Sequence, residues 1–391
     1  MISKLRLVVS LVLLLVVLVA SGDSVAAASP VCNSTFVKQA ANMITIAPTG
    51  TDDTVNIQCA FDLAVAARKN TKVQLLAGMF RIKQIVVYGF VGQFSGAGAD
   101  KTIITNLPNL YVAPVNFYFN PPSDVNPYPA LFSFVDADIA ISDLAIRVIG
   151  NEPTQGWTIF GIDPPLKELA IGIGILGTKA NAQAQNILIE GELMPGSLYG
   201  YNLINGIYFE GFIGASQPPI SGSFAVYDST FRKVASGAPI YNLSGASVMI
   251  SRTRNEDVYS GLDAADLVNT HLIFSNNTAD AFICGYLYNM LNTETAGTNF
   301  LMANNVCRGT NGFVLQTTFG AGNKCLLTEN DVQQVTDVGY YLYPGINGCT
   351  IIGDGTPATV INLGTGNKLI NVTGVGKNSA MASFRLLRPH K

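Results

Sequence analysis

The sequence predicts an all-β chain wound as a right-handed, single-stranded parallel β-helix, with one α-helix capping its N-terminal end. A repeat in the second half carries this expectation. The segments Phe224–Asp228, Val248–Arg252, Leu272–Asn276, Phe300–Asn304, Cys325–Glu329 and Thr350–Asp354 each hold three mostly apolar positions, then a small or polar residue, then a polar one, at spacings of 24, 24, 28, 25 and 25 residues. The next column reads Ser229, Thr253, Asn277, Asn305, Asn330 and Gly355, and Gly237, Gly261, Gly312 and Gly339 open a further apolar run in most units. Leucine-rich repeats, propeller blades and helical repeats have other periods or signatures, whereas two or three short strands per ~25 residues fit one coil of a β-helix. Like residues then stack at the ~4.8 Å strand spacing, with Asn276 over Asn304, and Asn277 over Asn305 and Asn330, expected to hydrogen-bond as ladders. A length of 391 residues suits an architecture that grows by repetition, and a charged content of 13% leaves little room for disordered tails.

Residues 1–28 read as a secretory signal: Lys4 and Arg6, an apolar run from Leu7 to Ala20, then Ala26, Ala27 and Ala28 before Ser29. The apolar run is short of the ~20 residues a membrane span needs, so no stable span is expected after cleavage. Cleavage removes Lys4, Arg6 and Asp23, a sum of +1, taking the formal charge from −3 to −4. All six cysteines follow the leader, which suits disulfides in an exported, extracellular or cell-surface protein. Sequons at Asn33, Asn242, Asn276 and Asn371 are consistent with a glycoprotein. Residues 29–70 form the N-terminal segment and cap. Residues 52–70 carry Ile57, Ala60, Phe61, Ala64 and Ala67 on one helical face, with Asp53 or Thr54 as cap and Arg68 and Lys69 at the far end. Cys32 precedes this helix and Cys59 lies on it, so they are the expected disulfide, closing a loop worth ~3 kcal/mol. Cys325 and Cys349 fall one residue out of register, which points them to opposite strand faces.

From residue 71 to 391 short apolar runs alternate with Gly, Asn and Asp, the pattern of the coil itself. Three insertions interrupt it, near 111–131, 151–165 and 195–223. The first is rich in aromatics and proline, the second holds Trp157, and the third holds Tyr199, Tyr201, Tyr208, Phe209 and Phe212. Such aromatics can stack on sugar rings or pack loops onto the coil.

The stretch after the leader resembles the opening of the pectin lyase-like β-helix superfamily. The matching residues are Asp52 to Ala60 (Asp-Asp-Thr-x-x-Ile-Gln-x-Ala), Ala77-Gly-Met-Phe-Arg-Ile82 and Gly96-Ala-Gly-Ala-Asp-Lys-Thr102, with Leu76 where the family usually has proline. The likeness spans roughly 50–105 by motif and 139–375 by repeat style. It implies the fold, and a polysaccharide as partner; the superfamily holds lyases, glycoside hydrolases, tailspikes, adhesins and proteins without known activity.

Composition narrows the chemistry. With 23 basic against 26 acidic residues there is no footprint for nucleic acid. Two histidines, His271 and His390, exclude most zinc sites, and His271 reads as a turn residue. A lyase of the resembled kind needs an Arg or Lys base with carboxylates that hold Ca²⁺ against a uronate. The densest charged cluster supplies such types: Asp228, Arg252, Arg254, Glu256 and Asp257, near Arg232, Lys233, Asp263 and Asp266. The alternative is an ordinary solvated turn with an Asp–Arg pair. Glu329 and Asp354, expected in one column on adjacent coils, are a candidate carboxylate pair for glycoside hydrolysis. The lyase Arg-x-Pro-x-x-Arg, the hydrolase Gly-His-Gly and the P-loop are absent; Gly96-Ala-Gly98 lacks the setting of a dinucleotide site, and Arg81-Ile-Lys83 lies at the wrong end for a hydrolase motif. The leading expectation is an exported protein that binds a polysaccharide, with cleavage of lyase or glycosidase type left open; the rival is a noncatalytic structural or adhesive rod.

Overall fold

The computed structural model describes residues 32–107, 130–150, 171–194, 200–211, 221–288, 296–317, 319, 322–355 and 357–375. The expected leader, most of the first insertion and the second insertion with Trp157 lie outside these. The third insertion contains a strand, Asn205–Gly211, that buries Tyr208 and Phe209, so it is coil rather than loop over that stretch.

The chain forms a right-handed parallel β-helix. Each coil crosses three parallel sheets in turn. The first sheet stacks Thr71–Leu75, Val91–Ser95, 138–142, 179–185, Ser221–Tyr227, Ser247–Ser251, His271–Ser275, Asn299–Ala303 and Lys324–Thr328. The second begins with Gly78–Ile82 and Thr102–Asn106 and continues through 144–147, 187–190, Thr230–Arg232, 254–256 and 278–280. The third begins with Ile85–Tyr88, Ala130–Val135 and Ile171–Gly177 and continues through Asn205–Gly211, Ile240–Ser244, 260–265 and 283–288. Alternate residues of every strand fill the interior, for example Phe224, Val248, Leu272 and Phe300, all buried.

One residue turns the corner between first and second sheets. Asp143, Asn186, Asp228, Arg252, Asn276, Asn304 and Glu329 occupy it in consecutive coils, each with φ between 48° and 59°. That left-handed conformation tolerates Asn and Asp best, which explains the polar column in the sequence. The residue after it points inward. Asn277 donates from Nδ2 to Asn305 Oδ1 at 3.0 Å, and Asn305 from Nδ2 to Asn330 Oδ1 at 2.8 Å, while Thr253 Oγ1 donates to Asn277 Oδ1 at 2.8 Å. This interior ladder was expected; Asn276 and Asn304 instead turn the exposed corner, with no side-chain bond between them among the described contacts. At the other bend Gly312 has no room for a side chain, since a Cβ would lie 2.2 Å from the Gly339 carbonyl oxygen.

The sixth repeat slips by one residue. Leu326 pairs with Thr350, which sets Cys325 beside Cys349, and the two form a disulfide with Cα atoms 4.6 Å apart. The expected misregister of these cysteines came from aligning Thr350 with Cys325; the last unit is 24 residues long, not 25. Consequently Glu329 faces Gly353 and not Asp354, and the proposed carboxylate column does not exist. Cys284 and Cys307 form a further disulfide that the sequence reading did not anticipate, joining the start of a third-sheet strand to the second sheet of the next coil inside the core. Cys32 and Cys59 pair as expected, with Cα atoms 5.7 Å apart.

The helix α1, Thr54–Ala66, closes the N-terminal end. Phe61 plugs the first coils, meeting Phe90, Phe94 and Phe134 at ring-centroid distances of 5.3, 5.2 and 5.4 Å. Its polar residues serve the open strand edges. Asp53 Oδ2 accepts from the Arg81 amide at 3.0 Å, Thr54 Oγ1 from the Lys83 amide at 2.8 Å, and Gln58 exchanges two hydrogen bonds with the backbone of Val86. Asp53 therefore does not cap its own helix with its side chain, as expected from sequence; the carboxylate is spent on the sheet edge. The last turn of α1 has no basic residue, since Arg68 and Lys69 fall beyond it.

Candidate functional site

The charged cluster resolves into pairs. Arg254 and Glu256 lie on the outer face of the long strand Arg254–Val268 and not in a turn. Register places Arg147, Glu190, Arg232 and Glu256 side by side on the second sheet. Arg147 Nε lies 3.2 Å from Glu190, Arg232 bridges Glu190 at 3.3 Å and Glu256 at 2.5 Å, and Arg254 also pairs with Glu256. Asp228 and Arg252 do meet on adjacent coils, as expected, in a bidentate pair at 2.6 and 3.0 Å. Hydrogen bonding from Arg252 holds the Asp228 carboxyl below its usual range. The same bond raises Arg252, so this guanidinium holds its proton more tightly than a free one. Asp257 turns a corner with φ 53° and accepts from Tyr201 Oη at 3.2 Å. Lys233 turns another with φ 51°, and Asp266, also left-handed, is buried. Asp228 is thus paired with Arg252, Glu256 with Arg232 and Arg254, and Asp257 with Tyr201.

The third sheet is different. Its outer face carries two neighbouring rows, one with Asp263, Tyr286, Val314 and Tyr341 in register, the other with Glu210, Tyr241, Ala265 and Tyr288. Tyr286 and Tyr288 stack at 4.4 Å, Tyr259 stacks on Phe282 at 5.2 Å, and Tyr241 meets Tyr208 edge-on at 5.4 Å. Tyr208 and Tyr241 are buried, whereas Tyr259, Phe282, Tyr286 and Tyr288 are half-buried and offer ring surface. Asp263 lies among them. Tyr241 and Tyr288 hydrogen-bond its carboxyl, and Tyr288 Oη also meets Tyr241 Oη at 3.3 Å. Asp263 keeps some residue exposure, but its Oδ1 is sealed from solvent without a hydrogen-bond partner. The sealed oxygen decides its acidity: desolvation pushes the carboxyl up to about 6, against the two tyrosine bonds that lower it. Glu210, one coil before Tyr241, is buried and accepts from Asn242 Nδ2 at 3.4 Å. Asn242 is thus enclosed at a sequon, with its amide nitrogen engaged, and is the wrong environment for a glycan; Asn33, Asn276 and Asn371 are exposed.

Chain connectivity marks the same face. The long connections 107–130, 147–171 and 190–205 leave at the corner between second and third sheets, and 211–221, 288–299 and 316–324 at the corner between third and first. Both corners border the third sheet. His271 opens a first-sheet strand, with Nδ1 2.9 Å from Asn299 Nδ2, and is no turn residue. Among the described residues no three His, Cys, Asp or Glu side chains converge as metal ligands, so the donor set a calcium-dependent lyase would need is not assembled by them. No described helix is long and apolar enough to cross a membrane.

The sequence signals for this face were weak. Asp263 was one acid among several in a polar stretch, and its tyrosines come from four different strands, Asn205–Gly211, Ile240–Ser244, Arg254–Val268 and Thr278–Tyr288. Only the stacking register brings them together.

No protein-family profile and no curated protein matches the sequence. Among solved structures the chain is similar to the hyperthermoactive exopolygalacturonase from Thermotoga maritima, at 10% identity and a TM-score of 0.44, covering 88% of this chain and 94% of that one. It is similar to the polygalacturonase from Erwinia carotovora ssp. carotovora, at 10% identity and a TM-score of 0.39, covering 92% and 99%. The A-module of a mannuronan C-5 epimerase from Azotobacter vinelandii gives 13% identity and a TM-score of 0.30, covering 84% and 96%.

Proposed function

We propose that the protein is exported and binds a polysaccharide along the outer face of the third sheet, with Asp263 protonating the glycosidic oxygen as its bond to the sugar carbon breaks, while water adds to that carbon and its proton returns to the carboxylate. The observation that carries this reading is the carboxyl of Asp263, enclosed by tyrosines and pushed up to about 6 by desolvation. Ring faces of Tyr286, Tyr288 and Tyr259 supply apolar surface for sugar rings, which are flat and apolar on their C–H faces. A carboxyl held near neutrality retains its proton where an ordinary aspartate has lost it, which is what protonation of a glycosidic oxygen requires. Three disulfides and a signal-like leader support an oxidising, extracellular setting.

The test is a panel of neutral and uronate-containing oligosaccharides, scored for binding by calorimetry and for cleavage by reducing-end release between pH 4 and 8. Wild-type protein is expected to bind and cleave a member of the panel. Asp263→Asn is expected to bind without cleaving, and Tyr286→Ala with Tyr288→Ala to lose binding. Binding without cleavage by the wild type would reduce the reading to a binding protein. No binding at all would favour the noncatalytic rod.

A further inference from the structure

A second surface, on the first sheet, has the character of a binding site. A groove of about 350 Å³ crosses the strands Val91–Ser95, 138–142, 179–185 and Ser221–Tyr227. Its central row alternates long and short side chains in register: Gln93, Ala140, Gln183, Ala225. Each alanine leaves a slot, and both glutamines are exposed with no hydrogen bond to another described residue. The adjacent row is Asp138, Asn181 and Ser223, again short and polar. At the far end stands Tyr227, over whose ring the Arg252 guanidinium lies 5.6 Å from the centroid. The bidentate Asp228 bond holds that guanidinium in place.

Spacing and charge define what fits. No Lys or Arg is among the residues that line the groove and Asp138 is its one carboxylate; Lys72 stands beside Gln93 at one end and Arg252, at the other, is engaged by Asp228, so the floor itself offers an anionic chain repulsion and no cation. Amides and hydroxyls match sugar hydroxyls, and the alanine floor accepts a flat ribbon. Gln93 and Gln183 are two coils apart, ~9.6 Å at the strand spacing. This is close to the length of one disaccharide in an extended β-1,4-linked chain, in which alternate sugars are flipped and the same hydroxyl edge recurs at every second unit. We infer that the first sheet carries a second glycan groove, selective for a neutral, extended β-1,4-linked chain. It involves no residue of the third-sheet face and does not depend on that reading.

The experiment is calorimetry on the full chain with cellohexaose, xylohexaose and mannohexaose as probes, and maltohexaose and an oligogalacturonate hexamer as comparators. At least one of the three β-1,4 hexasaccharides should bind, and at least tenfold more tightly than either comparator. Gln93→Ala with Gln183→Ala should weaken that binding tenfold or more, and Ala140→Leu, which fills the slot between them, should do the same with an unchanged melting temperature. The glutamine and slot variants should show the same weakening when placed in a Tyr286→Ala, Tyr288→Ala background, where a third-sheet site no longer contributes, which separates this site from the tyrosine face. The inference is overturned if no β-1,4 hexasaccharide binds, if maltohexaose binds equally well, or if the glutamine and slot variants keep wild-type affinity while folded.

Discussion

The outer faces of the second and third sheets are built on the same coil and treat charge in opposite ways. On the second sheet, Arg147, Glu190, Arg232 and Glu256 alternate in sign from coil to coil, so each charge finds its partner one strand away and remains near water. On the third, Asp263 has tyrosines for neighbours, and its carboxyl loses water without gaining a cation. Repetition explains the first arrangement: stacking in register turns an alternating column into a ladder of ion pairs, each worth little. The second costs stability and is kept in spite of that. Density of charge in a sequence therefore marks a self-paired face of this coil, whereas Asp263 in its aromatic setting is the acid left without a charged partner.

The largest expected effect tests that cost directly. Desolvation pushes the Asp263 carboxyl up to about 6 in the folded protein against the ordinary aspartate value of 3.8, so the folded state holds the proton more tightly than the unfolded one. The resulting stabilisation is fully present below pH 3.8 and is lost as pH rises through about 6. Asp263→Asn removes this dependence, and the rise from 3.8 to about 6 corresponds to up to ~3 kcal/mol at pH 7.5. Thermal or urea unfolding between pH 4 and 8 should show the variant more stable than wild type at the alkaline end, with the gap closing toward pH 4. A gap that does not change with pH would mean that Asp263 is not desolvated.

A smaller effect is expected on binding. Tyr286 and Tyr288 stack on each other, and Tyr286 Oη donates to Gln316 Oε1 at 2.7 Å, which holds the pair rigid. Removing both rings should weaken a glycan bound on the third sheet roughly 30-fold, from ~1 kcal/mol for each aromatic contact. Arg254→Ala, on the second sheet, should leave the same affinity within about twofold, because exposed paired charges add little. Equal losses in both variants would erase the distinction between the faces.

Much of the coil was legible because its physics is periodic. The left-handed corner accepts Asn and Asp, the position after it wants a buried amide, and the interior wants apolar residues, so Asn276-Asn277 and Asn304-Asn305 announce the turn by letter alone. Register was legible only while the period held. Shortening the last unit to 24 residues moved Cys349 beside Cys325 and dissolved the Glu329–Asp354 column, and no local signal in 343–349 distinguishes the two alignments. The site was the least legible part. Asp228 and Arg252 were rightly placed together, but whether a pair is spent on itself or left available depends on what lies above and below it. Asp263 required the opposite knowledge: its partners, Tyr241 and Tyr288, are separated from it by 22 and 25 residues and meet it only through stacking.

The smallest effect concerns the ladder itself. Glu256 is the one carboxylate shared by Arg232 and Arg254, and its side chain is 20% exposed against 39% and 70% for the two arginines. Glu256→Gln leaves both guanidiniums in reach of an amide oxygen, so a hydrogen bond survives while the charge does not. Arg232 retains Glu190 at 3.3 Å, which limits the loss further. The expected change is therefore about 1 kcal/mol or less, in line with partly exposed pairs, and it should shrink as salt rises because screening weakens what the wild type has to lose. Urea unfolding of wild type and variant in low and high salt measures both quantities. A loss of several kcal/mol that does not respond to salt would show the ladder to be desolvated like Asp263, and the two faces would then differ in sequence but not in the way they hold charge.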